Sequence, residues 1–192
     1  MPRRRVRVSL SEARRIALAA QGFDRERPAN PNDIRHYRRV MHAIGVLQLD
    51  FVNVLLPAHF LMIWSRLGGY DRQKFERYLY ESREYTEQWA HEASIVRVSD
   101  WPMLEYRRRA WRPWKRDPLA ALADPEAYLQ RILEQVARDG GVTANDLPEA
   151  ESLPRKRGDW DRPLQRWALE HHFGRGALGV RRRLGNFQRV YE

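Results

Sequence analysis

Apolar positions recur three and four residues apart along much of the chain, and this spacing predicts a series of short amphipathic helices. The first follows the Ser9/Glu12 capping pair and carries Leu10, Ala13, Ile16, Ala17 and Ala20, with Gly22 as its end. A polar loop with Pro28 and Pro31 comes next. Asn32 or Asp33 can cap a second helix, whose stripe is Ile34, Tyr37, Val40, Met41 and Ile44, with Gly45 as its stop. Phe60 to Leu67 predicts another helix, ended by Gly68-Gly69. Asp71 can cap one that carries Phe75, Tyr78 and Leu79. Asp100, ahead of Trp101-Pro102, predicts a helix with Leu104 and Trp111 inside it.

The helical spacing breaks twice in this half. Val46 to Val54 is β-branched and largely apolar, with three polar interruptions, and Glu84 to Val98 reads as extended or irregular. Pro113 to Pro125 then holds three prolines and a change of composition, which marks a boundary.

Beyond it, Glu126 to Arg138 is an amphipathic helix with Leu129, Ile132, Leu133 and Val136. Gly140-Gly141 makes a turn, and Thr143 can cap a short helix over Ala144 to Leu147. A basic loop with Arg155, Lys156 and Arg157 leads to a third helix, Pro163 to Phe173, stopped by Gly174. Ala177 to Tyr191 alternates and breaks at Gly185-Asn186, a hairpin signal. The fold class expected is mainly α with short β hairpins, an α+β chain. Three short helices and a hairpin is the order of a winged helix-turn-helix; any small α+β domain is the alternative.

Composition narrows the partners. The 192 residues carry a net charge of +10 and are 43% hydrophobic and 31% charged. Nearly all of the basic residues are arginine, with Lys74, Lys115 and Lys156 the lysines. Such a chain either binds nucleic acid through phosphate or carries a general charge bias. No apolar run reaches the roughly 18 residues of a spanning helix, so no membrane association is expected. The N-terminal Met1-Pro2-Arg3-Arg4-Arg5 leads into polar residues and not into the apolar core of a signal peptide. There is no cysteine, which excludes disulfides, thiolate metal sites and thiol nucleophiles, and a cytoplasmic protein is expected.

Candidate chemistry centres on Gln48-Leu49-Asp50. In an extended strand Gln48 and Asp50 share one face while Leu47, Leu49 and Phe51 share the other; in a helix the two polar groups would diverge by about 200°. A carboxylate so placed can stabilise positive charge growing on a sugar, or position and deprotonate a water, and the amide can bond a base or sugar. Alternatively Asp50 caps a turn and Gln48 satisfies backbone. A second cluster is His91-Glu92-Ala93-Ser94. It opens like a zinc-protease motif but has Ile95 where a ligand would stand, so neither a metal nor another cofactor is expected. His91 either contacts phosphate or water, or is a structural histidine. Tyr106 to Arg116 interleaves Arg107, Arg108, Arg109 and Arg112 with aromatics, as phosphate contact and base stacking require. Arg181, Arg182, Arg183 and Arg189 would charge the terminal hairpin.

The stretch Ile44 to Val54, then Ala58-His59, Ser65-Arg66-Leu67-Gly68, Tyr70-Asp71, Trp89 to Ser94 and Gly185 to Tyr191, resembles the crosslink-unhooking DNA glycosylases of the YcaQ/AlkZ type. These landmarks fall in the family's order over nearly the whole chain. The resemblance implies tandem winged helix-turn-helix domains, here 1–115 with the Gln-x-Asp motif and 116–192 ending in a basic wing. It implies a monofunctional glycosylase that acts on alkylated or interstrand-crosslinked purines in double-stranded DNA, expected as a nucleoid-associated monomer. Gln48 and Asp50 match the family's catalytic motif, which in some relatives is Gln-x-Gln. His91, Glu92, Ser94 and Asn53 are expected to support that site. Family members are longer, with a further winged helix and a β-rich C-terminal domain, so the chain is expected to be an N-terminal part. The alternative function is a non-catalytic winged-helix regulator or architectural protein, in which a DNA-facing carboxylate would have no use.

Overall fold

The computed structural model describes residues 7–29, 31–112, 118–148 and 163–192. The basic loop of Arg155, Lys156 and Arg157 lies outside them. Contacts divide the chain into two compact units, Met1–Tyr78 and Leu79–Glu192. The architecture is mixed: α-helices with small antiparallel β pairings.

In the first unit, helix α1 (Leu10–Ala20) starts at the Ser9 capping box, where the Ser9 N–H donates to Glu12 Oε2 at 2.8 Å. None of its residues is buried. Leu10, Ile16 and Leu18 remain 67, 59 and 55% exposed, so its apolar positions do not form the core stripe their spacing suggests. Helix α2 (Ile34–Ile44) is capped by Asp33, whose Oδ1 accepts the N–H groups of Arg35 and His36. It buries Tyr37, Val40 and Met41. The Tyr37 ring meets Tyr70 and Phe75 edge-on, at centroid distances of 6.3 and 5.2 Å, and its hydroxyl donates to the Asp71 carbonyl. A two-residue strand, β1 (Leu47–Gln48), precedes helix α3 (Ala58–Leu67), which adds Phe60, Ile63 and Leu67 to this core. Helix α4 (Arg72–Glu81) starts where Asp71 Oδ1 accepts the Lys74 N–H.

The second unit opens with a hairpin of β2 (Tyr85–Trp89) and β3 (Ala93–Arg97), in register from Tyr85↔Arg97 to Trp89↔Ala93. The helix expected after Asp100 is a 3-10 stretch, Val98–Leu104, followed by helix α5 (Glu105–Arg109). Trp111 lies beyond the helix, because the chain leaves helical geometry at Ala110. Helix α6 (Pro125–Asp139) is capped by Asp124 and buries Tyr128, Ile132 and Val136. Thr143 caps a 3-10 turn, Ala144–Asp146, through a capping box. Helix α7 (Leu164–Arg175) runs through Gly174 and stops at Gly176, whose φ of 82° is the left-handed conformation that glycine adopts without strain. The terminal hairpin pairs β4 (Val180–Arg183) with β5 (Arg189–Tyr191). Val142 and Tyr191 exchange backbone bonds of 2.9 and 2.7 Å, tying the hairpin to the segment after α6. Ile132, Val136, Leu169, Phe173 and Tyr191 share one core.

Gly174 is inside α7 because Trp111 presses on it. A Cβ there would lie 2.2 Å from the indole. Gly174→Ala is therefore expected to lower stability by about 1–3 kcal/mol, the usual range for overpacking, measured as a fall in Tm. An unchanged Tm would mean that the indole moves aside freely.

Candidate active site

Around Gln48 and Asp50 the chain is extended, and burial alternates as the sequence predicts. Leu47 and Leu49 are 0 and 7% exposed, while Gln48 is exposed and Asp50 and Phe51 are half-buried. The apolar residues anchor the segment and the polar pair is left on the accessible side.

Asp50 is fixed locally. Its Oδ1 accepts the Val52 N–H at 2.9 Å, an Asx turn, and its carbonyl lies 2.9 Å from His59 Nδ1. His59 is 5% exposed and meets Phe51 edge-on at 5.7 Å. Backbone, imidazole and phenyl ring thus hold the carboxylate in one place. Its second oxygen has no partner among the described residues. Beyond the Asx turn, Val52, Val54 and Leu55 are 68, 88 and 84% exposed. Asn53 is also exposed and forms a bridge with Pro57 at the foot of this loop.

The residues expected to support the site separate by environment. His91 is exposed in the turn of the β2–β3 hairpin, and Glu92 is half-buried beside it. Ser94 is 0% exposed, and its hydroxyl donates to the Glu92 carbonyl at 3.0 Å. It braces the turn and does not face solvent. No group of histidines and carboxylates among the described residues could hold a metal ion.

The arginines expected on DNA divide in the same way. Arg107, Arg109, Arg112, Arg181 and Arg182 are exposed, with Arg109 also paired to Glu105 at 2.6 Å. Arg108, Arg183 and Arg189 make contacts within the protein. Arg108 is 6% exposed, stacks on Trp101 at 3.4 Å and donates to the Trp101 carbonyl. Arg183 grips Glu87 with two bonds, Nε to Oε1 at 2.7 Å and Nη2 to Oε2 at 2.8 Å. Arg189 donates to Glu87 at 3.0 Å and to Glu170 at 2.5 Å. Tyr80 and Tyr191 complete the network by donating to Glu87 and Glu170. Burial alone would push the Glu87 carboxyl up, but Arg183 and Arg189 hold it below the ordinary carboxylate range. Sequence reasoning missed Glu87 and Glu170, since a carboxylate in a strand or helix pattern reads as solvent-facing.

The chain thus combines a mixed α/β fold, an accessible amide and carboxylate at Gln48 and Asp50, and a large excess of arginine. Residues 41–192 match the model of the family described as DNA glycosylase AlkZ-like, and the chain belongs to that family. No solved structure matches it. The family works on DNA, so DNA is its partner. Among the described residues no helix is long and apolar enough to cross a membrane.

Proposed function

We propose that this protein hydrolyses the N-glycosidic bond of alkylated or interstrand-crosslinked purines in duplex DNA, with Asp50 and Gln48 as the catalytic pair. The observation that carries this is the geometry of the pair: an accessible amide and a fixed carboxylate with one uncommitted oxygen, both opposite the buried Leu47 and Leu49. An N7-alkylated purine is cationic and already a good leaving group. As the bond breaks, positive charge grows on the deoxyribose, and the Asp50 carboxylate stabilises it and directs water to the anomeric carbon. Gln48 donates to or accepts from the water or the sugar. Asn53, at the foot of the same loop, serves as support. No lysine lies near Gln48 or His91 in sequence to supply a Schiff base; although folding can bring a distant lysine close, hydrolysis without strand cleavage is the simpler reading. A crosslinked base cannot be fully extruded, and an accessible site suits such a substrate.

Residues 1–115 and 116–192 act in this proposal as tandem winged-helix modules. The order α6, Thr143-capped turn, α7 and β4–β5 hairpin supports the second, as does the Val142–Tyr191 pairing. Helix α7 is unlike a groove-reading helix, because Ala168, Leu169, Glu170, His172 and Phe173 are all buried. Among the described residues, phosphate contact in this half therefore falls to Arg181 and Arg182, and in 1–115 to Arg107, Arg109 and Arg112.

The test is incubation with a duplex carrying one N7-methylguanine. Free base and an intact abasic strand are expected. Strand scission without added base would replace hydrolysis by lyase chemistry. The Asx turn at Asp50 favours a second reading, in which the carboxylate only shapes its loop and the protein binds DNA without catalysis. Salt-sensitive duplex binding with no base release would establish that one.

A further inference from the structure

Helix α2 has two faces of opposite character. Tyr37, Val40 and Met41 face the core, while Arg35, Arg38, Arg39 and His42 recur at i, i+3, i+4 and i+7 along another side. Seven residues of helix separate the first from the last, about 10 Å. This row forms one wall of a cavity of about 540 Å³, whose other walls include Arg25 and Arg66. Neither Gln48 nor Asp50 lines it.

Arg66 is held rigidly there. Its Nε donates to the Gln21 carbonyl at 2.7 Å and its Nη1 to the Met62 carbonyl at 2.9 Å, and its guanidinium stacks on Phe23 at 4.2 Å. Asp24 is the one carboxylate among the described lining residues, and Asp33 pairs with Arg35 at 2.8 Å from the helix cap. With Arg35 paired to Asp33, the guanidinium groups of Arg25, Arg39 and Arg66 share the hollow with Asp24 and repel one another, so the hollow favours an anion. Among the described lining residues there is no Phe, Tyr or Trp, and the His42 imidazole is the one aromatic ring. A lining so dominated by arginine suits a phosphodiester backbone better than a nucleotide base. Arg25, Arg35, Arg38 and Arg39 also precede the span 41–192 that matches the family.

We infer that the cavity between α1, α2 and Arg66 is a phosphate-binding groove that grips the backbone of duplex DNA, apart from the Gln48–Asp50 site. This rests on duplex DNA being the substrate, as proposed above. The groove supplies affinity without sequence preference.

The experiment is a salt titration of binding to an undamaged duplex by fluorescence anisotropy, comparing wild type with Arg25→Gln/Arg39→Gln. The variant is expected to bind more weakly whatever the sequence. Its plot of log K against log salt should be shallower by about two, near 0.9 for each lost phosphate contact. Arg25→Lys/Arg39→Lys should keep most of the slope, which separates charge from structural damage. Unchanged affinity and slope in a folded Gln variant would overturn the groove. So would a variant that loses inorganic pyrophosphate but keeps the duplex, which would make the cavity a small-anion site. Should the double variant unfold, Arg25→Gln alone, in an exposed loop, decides the point with an expected slope change of about one. Base release from the N7-methylguanine duplex at saturating wild-type protein reports separately on catalysis, so loss of either inference is recognised without the other.

Discussion

Glu87→Gln is expected to destabilise the second unit by about 3–5 kcal/mol, the range for removing one partner of a buried ion pair. Glu87 is 2% exposed and receives four hydrogen bonds, from Tyr80, from two nitrogens of Arg183 and from Arg189. The amide keeps the shape of the side chain but accepts through one atom only. Arg189 then keeps Glu170 as a counter-charge, while Arg183 loses the charge of Glu87. Urea unfolding followed through Trp89 and Trp167 measures the loss, and a midpoint near that of wild type would refute it. The sign of the pH dependence follows from the lowered carboxyl. The wild-type advantage is complete above the ordinary carboxylate range and disappears as pH falls through the folded-state value. The gap between wild type and Glu87→Gln should therefore close on acidification.

Asp50→Asn is expected to slow base release by about 10²–10⁴-fold in single-turnover experiments, the scale for losing a general base or a charge aimed at the transition state. The substitution is informative because asparagine retains an oxygen for the Val52 N–H, so the Asx turn survives while the charge is lost. Duplex affinity should stay the same or rise slightly, since a negative group is removed beside phosphate. Equal rates for wild type and variant would leave a glycosylase whose catalytic carboxylate lies elsewhere. Asp50→Ala removes both functions, and its excess over Asp50→Asn measures what the turn contributes to positioning.

Much of the local structure could be read from the chain. Ser9, Asp33, Asp71 and Thr143 cap where their side-chain chemistry says they should. The alternation at Leu47, Gln48, Leu49 and Asp50 predicted which side chains stay accessible, because a two-residue period needs no tertiary information. Helix α7 was harder. Leu164 and Trp167 are apolar but only partly buried, whereas Gln165, Glu170 and His172 are polar and enclosed. Glu170 is buried because Arg189, 19 residues away, neutralises it, and His172 because Nε2 reaches the Leu129 carbonyl, 43 residues away. Partners so distant leave no mark on local periodicity. The same cause draws Arg183 and Arg189, expected on a DNA-facing wing, onto Glu87. At α1 the failure runs the other way, since apolar spacing was present but none of its residues is buried.

The Glu87 network also constrains the order of events during synthesis. Glu87 and Arg189 are 102 positions apart in sequence. At the usual elongation speeds of about 5–20 residues per second, Glu87 leaves the peptidyl-transferase centre some 5–20 s before its last partner is made. During that interval the β2–β3 hairpin carries a carboxylate that cannot yet be buried with its charges balanced. The second unit must therefore complete its core late, when the final hairpin arrives.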